Sequence, residues 1–355
     1  MDIIKLIRPN ILNLKPYTSA RDIYGGEGIL LDANENSFGS TFNDIEKLEL
    51  NRYPDPNQND LREIVGKYYS IRPKNLFFGV GSDEIIDLLI RIFCEPGKDS
   101  VLIPEPTYGM YKVACDINNV FTKEILLNDN FQVDLNEIQK NFTSRTKIIF
   151  LCSPNNPTGN LLNKNDILYL CKNYNSIIIV DEAYIDFAED GSLINEIDNH
   201  PNLIVLRTFS KAWGLAGIRL GFCAANSEII KMLFKVKAPY NINALTRYAV
   251  ESAIKNSAKK DEFVKVIISE KQKLKQQLES LEGIIKVFES HANFLLFKFS
   301  NAKEIQKKLA EQGIIVRDRS TQPKLENYLR VSVGTEEQNN IFINTLKEIL
   351  KQNSF

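Results

Sequence analysis

The 355-residue sequence is poor in the residues that build metal centres and covalent cross-links. It contains only two histidines, His200 and His291, which argues against a histidine-based metal site, and we predict no metal ligands. The five cysteines are scattered singly, without a C-x-x-C pair, so the pattern predicts neither disulfide staples nor zinc knuckles. These absences indicate a reduced, cytoplasmic protein whose chemistry depends on other groups.

An excess of charge of one sign and long apolar runs are also lacking. The formal net charge is −1, which gives no electrostatic reason to expect nucleic acid or an anionic membrane as a partner. No apolar run has the length needed to span a bilayer, and the opening MDIIKLIRPN carries charges where a signal peptide would be apolar. With 43% hydrophobic and 25% charged residues, the composition is that of a globular protein with one large and one smaller domain.

Short apolar runs alternate with segments of helical periodicity over most of the chain. The runs that predict strands lie near 76–80, 100–103, 147–151, 176–180, 202–206 and 220–224. Helices are predicted between them, for example over 83–94 and 164–174. Because these strands are apolar without alternation, they indicate a mostly parallel sheet covered by helices on both faces. The predicted fold class is therefore α/β.

The last third of the chain follows a different pattern. A long helical segment over 245–282 precedes strand-like runs at 293–299 and 328–333 and a helix near 336–351. We predict a large cofactor-binding domain over 41–255 and a small α+β domain over 256–355, which an amino-terminal arm over 1–40 joins.

Polar groups follow the predicted strands of the large domain. In an open parallel sheet the carboxyl ends of the strands meet at one edge, where ligands bind. Each polar group alone has an ordinary explanation: a lysine such as Lys211 covers the core with its stem, Asp83 caps a helix, and Asn156 lies in a turn. The convergence of these groups on one sheet edge predicts a binding site instead.

The groups at the strand ends are those that pyridoxal 5'-phosphate requires. Lys211 supplies the amine for its Schiff base, Asp181 pairs with the ring nitrogen, and Tyr108 stacks on the ring. The other predicted contacts are the ring-oxygen partners Asn156 and Tyr184 and the phosphate cradle of Gly81, Ser82, Asp83, Thr208, Ser210 and Arg219. For Asp83 we expect the backbone amide to matter most, because its carboxylate would repel a phosphate.

The sequence resembles fold-type I pyridoxal-phosphate enzymes of the aspartate aminotransferase superfamily, and within it the histidinol-phosphate aminotransferase family. The segments that carry the resemblance span nearly the whole chain: RPNILNLKPYTSAR (8–21), LDANEN (31–36), NRYPDP (51–56), GSDEIIDLLIRIFCEPG (81–97), PTYGMY (106–111), CSPNNPTG (152–159), DEAYIDF (181–187), RTFSKAWGLAGIRLGF (207–222) and LRVSVGT (329–335). The resemblance implies a transaminase of histidine biosynthesis that converts L-histidinol phosphate and 2-oxoglutarate into imidazole acetol phosphate and glutamate.

The same resemblance implies a homodimer with shared active sites. Tyr53 would reach the cofactor phosphate of the neighbouring subunit. The implied substrate contacts are Tyr17, Asn34, Arg317 and Arg330. Arg330 would bind the anionic end of both substrates, while Arg317 and Tyr17 would add contacts to the substrate phosphate.

Three alternatives remain open on the sequence. A threonine-phosphate decarboxylase shares most of these motifs and also binds a phosphorylated substrate. An aromatic amino acid aminotransferase would use Tyr17 and Tyr108 to line its pocket. The same fold also serves as a binding module in transcription regulators, although this chain has no basic arm or spare length for a DNA-binding domain.

Overall fold

A seven-stranded sheet is the centre of the protein in the computed structural model, which describes residues 29–32, 34–39 and 53–352. The strands in chain order are β1 (Ile29–Leu30), β2 (Leu76–Val80), β3 (Ser100–Glu105), β4 (Phe121–Leu126), β5 (Thr146–Cys152), β6 (Ile177–Asp181), β7 (Leu203–Thr208), β8 (Leu220–Ala225), β9 (Lys286–Val287), β10 (Phe294–Lys298), β11 (Ile314–Ile315), β12 (Arg317–Asp318) and β13 (Tyr328–Ser332). The large sheet has the order β2-β8-β7-β6-β5-β3-β4. Its neighbouring strands are parallel except for β8, which runs antiparallel to both β2 and β7.

Helices pack on the sheets and account for most of the remaining regular structure. They are α1 (Asn59–Tyr69), α2 (Gly81–Phe93), α3 (Met110–Ile117), α4 (Leu135–Asn141), α5 (Lys164–Asn173), α6 (Ser227–Val236), α7 (Ala244–Lys255), α8 (Ser257–Glu279), α9 (Ala302–Glu311) and α10 (Glu336–Gln352). Over the described ranges, no helix combines the length and the apolar character that crossing a membrane requires.

The central strands bury both of their faces. In β6, Ile178 and Val180 belong to one hydrophobic core, whereas Ile179 between them belongs to the core on the opposite face. Successive side chains of a strand point to opposite faces, so a strand covered on both sides must be apolar at every position. This is why the apolar segments of the sequence that form these strands show no alternation of polar and apolar residues. The predicted α/β class with a mostly parallel sheet is confirmed.

A second, antiparallel sheet of order β12-β13-β10-β9 forms near the carboxyl end of the chain. It has its own hydrophobic core, to which α8, α9 and α10 contribute. The short strand β1 pairs in parallel with β11, Ile29 opposite Ile314 and Leu30 opposite Ile315, so residues 29–30 lie against this part of the chain. The domain limits at residues 40 and 255 stay a prediction.

Several elements differ from those expected on the sequence, among them the two-residue strands β1, β9, β11 and β12, the longer strand β4 and one helix. Strand β4 was not expected, because it lies at the edge of the sheet and its polar and exposed positions hide the apolar signal. The helix expected over 245–282 is interrupted at Asn256, whose backbone leaves the helical region with φ −108° and ψ 33°. Asparagine favours such an interruption, since its side chain competes for local backbone hydrogen bonds.

Gly221 in β8 allows α2 to approach the sheet closely. A Cβ atom at this position would lie 2.4 Å from the amide nitrogen of Ser82 and 2.7 Å from the carbonyl carbon of Gly81. Both atoms belong to the backbone of the first turn of α2, which cannot give way as a flexible side chain would. The absence of a side chain at residue 221 therefore sets the position of that turn.

We expect the Gly221→Ala substitution to lower the free energy of unfolding by about 1–3 kcal/mol, the usual cost of forcing extra volume into a packed site. Urea denaturation measures this loss. Gly217→Ala is the matched control, because nothing lies within 4 Å of a Cβ atom at that position. Equal stability of the two variants would contradict the close approach.

Candidate active site

A cavity of about 210 Å³ lies at the carboxyl edge of the large sheet. Its lining consists of Glu35, Gly81, Ser82, Asp83, Tyr108, Cys152, Asn156, Asp181, Ala183, Tyr184, Thr208, Ser210, Lys211, Ala216 and Arg219. Every residue predicted as a cofactor contact lines this cavity, with the exception of Tyr53. These residues come from separate segments of the chain, which the order of the strands brings to one edge.

The first turn of α2 forms an anion-binding corner of the cavity. Gly81 has a φ of 74°, a conformation that glycine adopts without strain, and its amide donates to the carbonyl oxygen of Arg219 at 2.9 Å. The amides of a helix's first turn lack intrahelical acceptors and lie at the positive end of the helix dipole. The Arg219 guanidinium lies over Gly81, with Nη2 2.7 Å from where a Cβ atom would be. Backbone and side chain thus converge on a place for an anion.

The carboxylate of Asp83 links the two sides of this corner. Its Oδ1 accepts a hydrogen bond from the hydroxyl of Tyr108 at 3.1 Å. Its Oδ2 lies 3.6 Å from Nη2 of Arg219. The side chain therefore holds an aromatic ring and a guanidinium in place, a use that the sequence interpretation, which considered mainly the amide, left out.

Asp181 is the last residue of β6 and is buried at the bottom of the cavity. Its Oδ2 accepts a hydrogen bond from the hydroxyl of Tyr111 at 2.8 Å, and its Oδ1 accepts one from the amide of Ala183 at 3.1 Å. Burial raises the pKa of this carboxyl to about 6, against the opposing effect of the two hydrogen bonds. A cation placed beside it would restore its charged form.

Lys211 projects into the same cavity from the segment that follows β7. Its Nζ lies 5.7 Å from the centre of the Tyr184 ring. Loss of hydration, followed by the positive charge of Arg330, lowers the pKa of the amine to about 8, although the charges of Glu35 and Asp83 act in the other direction. The lowered pKa makes the neutral, nucleophilic form of this amine more abundant near neutral pH than in an ordinary lysine, although the charged form still predominates at pH 7.

A buried network connects the cavity to the second sheet. The side-chain amides of Asn156 and Asn34 donate to the hydroxyl of Tyr184 at 3.2 and 3.1 Å. Arg330 in β13 donates from Nη1 to Oδ1 of Asn156 at 2.6 Å and from Nη2 to the carbonyl oxygen of Asp32 at 2.7 Å. The guanidinium also lies 5.2 Å from the centre of the Phe294 ring. Asn34 and Arg330 are thus close to the cavity without lining it.

The remaining predicted contacts lie farther from the cavity or cannot be placed. Tyr53 is 82% exposed and stacks on Tyr240, with ring centroids 4.6 Å apart. Arg317 in β12 pairs directly with Arg330 in the neighbouring strand. Tyr17 lies outside the described residues.

The sequence interpretation missed several residues of the site. Glu35, Cys152, Ala183 and Ala216 line the cavity, and Tyr111 contacts Asp181 from behind it. Position alone could have suggested some of them, since Cys152 is the last residue of β5 and Glu35 stands between two asparagines of LDANEN. In the part of the chain that the structure describes, no group of three or more His, Cys, Asp or Glu side chains could hold a metal ion.

The comparison with known families agrees with this architecture. A family model described as aminotransferase class I and II matches residues 27–346. The chain belongs to this family, and the resemblance that the motifs indicated is confirmed.

Individual relatives place the similarity more narrowly. The chain is 46% identical over 351 residues to a histidinol-phosphate aminotransferase of Christiangramia forsetii, with 98% of each chain covered. A crystal structure of the histidinol-phosphate aminotransferase from Clostridium acetobutylicum superposes with a TM-score of 0.85 at 27% identity, over 91% of this chain and 100% of that one. The enzyme of that name from Sinorhizobium meliloti, solved in complex with pyridoxal-5'-phosphate, has the same fold, with a TM-score of 0.87 at 19% identity over 98% of each chain.

The lowered pKa of Lys211 predicts how the stability of the cofactor-free protein depends on pH. Between about pH 8 and pH 10.5 the unfolded chain still holds a proton on this amine that the folded protein has released. The contribution of Lys211 to the free energy of unfolding therefore rises with pH in this window, by at most about 1.4 kcal/mol per pH unit.

We expect the Lys211→Met variant to lack this rise. Urea denaturation at about pH 7 and about pH 10 measures it as a change in the stability difference between variant and wild type. Lys231→Met, at a lysine on the exposed face of α6, is the control and should show no such change. A pH-independent difference for Lys211→Met would mean that this amine keeps its ordinary pKa.

Proposed function

We propose that the protein is a pyridoxal-phosphate-dependent aminotransferase that transfers the amino group of L-histidinol phosphate to 2-oxoglutarate, in histidine biosynthesis and in the cytoplasm. The observation that carries the proposal is the presence of Lys211 and Asp181 in one cavity, beside the anion-binding first turn of α2. The name of the 46% identical relative supports the choice of substrate.

The residues of the cavity fit pyridoxal phosphate. Asp181 offers a buried carboxylate to a protonated ring nitrogen, and the corner at Gly81 and Arg219 offers amides and a guanidinium to a phosphate. Tyr108 provides an aromatic face, while Asn156 and Tyr184 provide polar groups for a ring oxygen. When bound, this cofactor supplies an aldehyde that accepts the amino group and a ring that withdraws electrons from the substrate α-carbon.

Lys211 has two tasks in the proposed reaction. Its amine would hold the cofactor in the resting enzyme, which requires a neutral nitrogen, and the lowered pKa favours that form. With the substrate bound, Lys211 would move the proton of the substrate α-carbon as a positioned general base, an effect worth roughly 10²–10⁴-fold in rate. Asp181 keeps its negative charge beside the ring throughout.

Two arginines near the cavity make the site suitable for substrates with phosphate or carboxylate groups. Arg317 and Arg330 are direct neighbours across the β12–β13 pair, so two guanidinium groups belong to one face of this sheet. Arg330 is buried, whereas Arg317 is partly exposed. We assign Arg330 to the anionic group of either substrate, a carboxylate in glutamate and the phosphate in histidinol phosphate. Arg317 and Tyr17 would add contacts to the phosphate of histidinol phosphate.

Incubation of the purified protein with pyridoxal phosphate and single amino donors tests this function. We expect conversion to the pyridoxamine form with glutamate and with histidinol phosphate, and slower conversion with phenylalanine than with histidinol phosphate, because phenylalanine has no phosphate for Arg317. Absorbance of the bound cofactor follows the reaction. Release of carbon dioxide from threonine phosphate, without the pyridoxamine form, would assign the protein to the decarboxylases instead.

The Arg317→Ala variant serves as a matched comparison in the same assay. Loss of a charge-assisted contact costs about 1.5–3 kcal/mol, so kcat/KM for histidinol phosphate should fall roughly 10- to 150-fold. The value for glutamate should change far less, whereas Arg330→Ala should lower both. An equal loss of kcat/KM for the two donors in Arg317→Ala would contradict the separate roles assigned to Arg317 and Arg330.

We further propose a homodimer in which Tyr53 completes the site of the partner subunit. Its side chain is 82% exposed and stacked on Tyr240, which is itself 46% exposed, so two aromatic rings present one apolar face to solvent. Large exposed apolar faces typically mark protein–protein contacts. In a two-fold dimer this face would meet the same face, or its surroundings, on the other subunit.

Mixing two inactive variants tests the shared site. We expect Tyr53→Ala and Lys211→Ala each to be strongly impaired, and their mixture to recover activity under conditions that allow subunit exchange. In a mixed dimer, one site would receive both defects and the other neither, so recovery should approach a quarter of wild-type activity, roughly the product of half the dimers and half their sites. No recovery despite demonstrated exchange would place Tyr53 outside the partner's site.

A further inference from the structure

Tyr111 lies in the first turn of α3, fully buried behind the cavity, and is not part of its described lining. Its ring is parallel to that of Phe150 in β5, with centroids 4.6 Å apart and an interplanar angle of 2°. It also meets the ring of Tyr108 edge-on at 5.5 Å. These two contacts fix the plane of the Tyr111 ring and therefore the direction of its hydroxyl group.

The hydroxyl of Tyr111 reaches the carboxylate at the end of β6. It donates to Oδ2 of Asp181 at 2.8 Å, while the amide of Ala183 donates to Oδ1 at 3.1 Å. Each carboxylate oxygen thus accepts at least one hydrogen bond from the protein, and the two bonds together orient the carboxylate plane. An ionised carboxylate has about four acceptor positions, so capacity remains for a donor inside the cavity.

The proton of this hydrogen bond belongs to the tyrosine. Burial, together with the charge of Asp181, raises the pKa of Tyr111 well above its usual value, so the hydroxyl is a donor at any working pH. Among the influences that lower the pKa of Asp181, the Tyr111 hydrogen bond comes first. The other titratable groups that act on this carboxyl or are affected by it are Asp83 in α2, Tyr108 before α3, Cys152 in β5, Tyr184 after β6 and Lys211 after β7.

We propose that Tyr111 is a positioning residue for Asp181, whose hydroxyl holds the carboxylate charged and aligned with the ring nitrogen of the cofactor. The inference rests on the proposed function, since it presumes that pyridoxal phosphate occupies the cavity. Tyr111 acts through Asp181, because its hydroxyl contacts that carboxylate and it is not among the residues that line the cavity.

The Tyr111→Phe variant removes the hydroxyl and keeps both ring contacts. We expect its affinity for pyridoxal phosphate to fall roughly 10- to 150-fold, the range for losing a hydrogen bond to a charged group. In addition, the resonance of cofactor labelled with nitrogen-15 in the ring should move towards that of unprotonated pyridine, because a less stabilised carboxylate draws the proton towards itself. Tyr69→Phe is the control, since its hydroxyl accepts from Trp213 rather than donating to Asp181, and it should change neither quantity.

A double-mutant cycle separates positioning from a general structural effect. In the Asp181→Asn background, Tyr111→Phe should weaken cofactor binding by less than about twofold, because the group through which it acts has been replaced. Full additivity of the two changes would overturn the inference. Circular dichroism and thermal unfolding of the cofactor-free variants check that each protein is folded.

A second variant keeps the inference testable if Tyr111→Phe does not fold. Incorporation of 3-fluorotyrosine at position 111 retains the hydroxyl and makes it a stronger donor, so the nitrogen-15 resonance should move in the opposite direction. No movement would overturn the inference. Absence of cofactor binding to the wild-type protein would instead refute the proposed function, whereas weakened binding in Asp181→Asn with unchanged binding in Tyr111→Phe would refute only the role of Tyr111.

Discussion

The burial of an acid, Asp181, and an amine, Lys211, in one cavity is the physical constraint on which the candidate site depends. Burial moves the pKa of Asp181 up to about 6 and that of Lys211 down to about 8, so that each group is closer to its neutral form than in water. The proposed cofactor would satisfy both, since it offers a cationic ring nitrogen to the carboxylate and an aldehyde to the amine. Shifted pKa values of this kind are typical of catalytic sites.

The direction of one strand completes the site. Because β8 runs antiparallel between β2 and β7, it begins at the edge where its neighbours end. Arg219, which directly precedes β8, therefore lies at the anion-binding corner beside Gly81. Gly221 two residues later lets the first turn of α2 lie directly on the strand. The anion-binding corner thus depends on a strand reversal and on close packing at a single glycine.

A second layer of polar contacts supports the groups that face the cavity. Glu182 directly follows Asp181, and Arg207 directly precedes Thr208; the two form a buried ion pair with Nη2 and Oε2 2.9 Å apart. Ser192 donates to the same carboxylate at 2.8 Å, so the pair is well hydrogen-bonded, as a buried pair must be. This pair joins β6 and β7 just beneath the site, while Tyr111 holds Asp181 from the opposite side. Such a network restrains the side chains that it supports.

The sequence by itself determined the fold class, the family and the residues at the strand ends, because buried parallel strands must be apolar throughout and their carboxyl ends must share one edge. It did not determine the direction of β8, the edge strand β4 or the break at Asn256, since composition carries no strand direction and an edge strand needs no continuous apolar face. Contacts such as Arg330 with Asn156, 174 residues apart, and Tyr111 with Asp181, 70 residues apart, were decided only by the tertiary structure. The hydrogen bond from Tyr111 to Asp181 cannot be read from the sequence, because it depends on how α3 packs beside the end of β6.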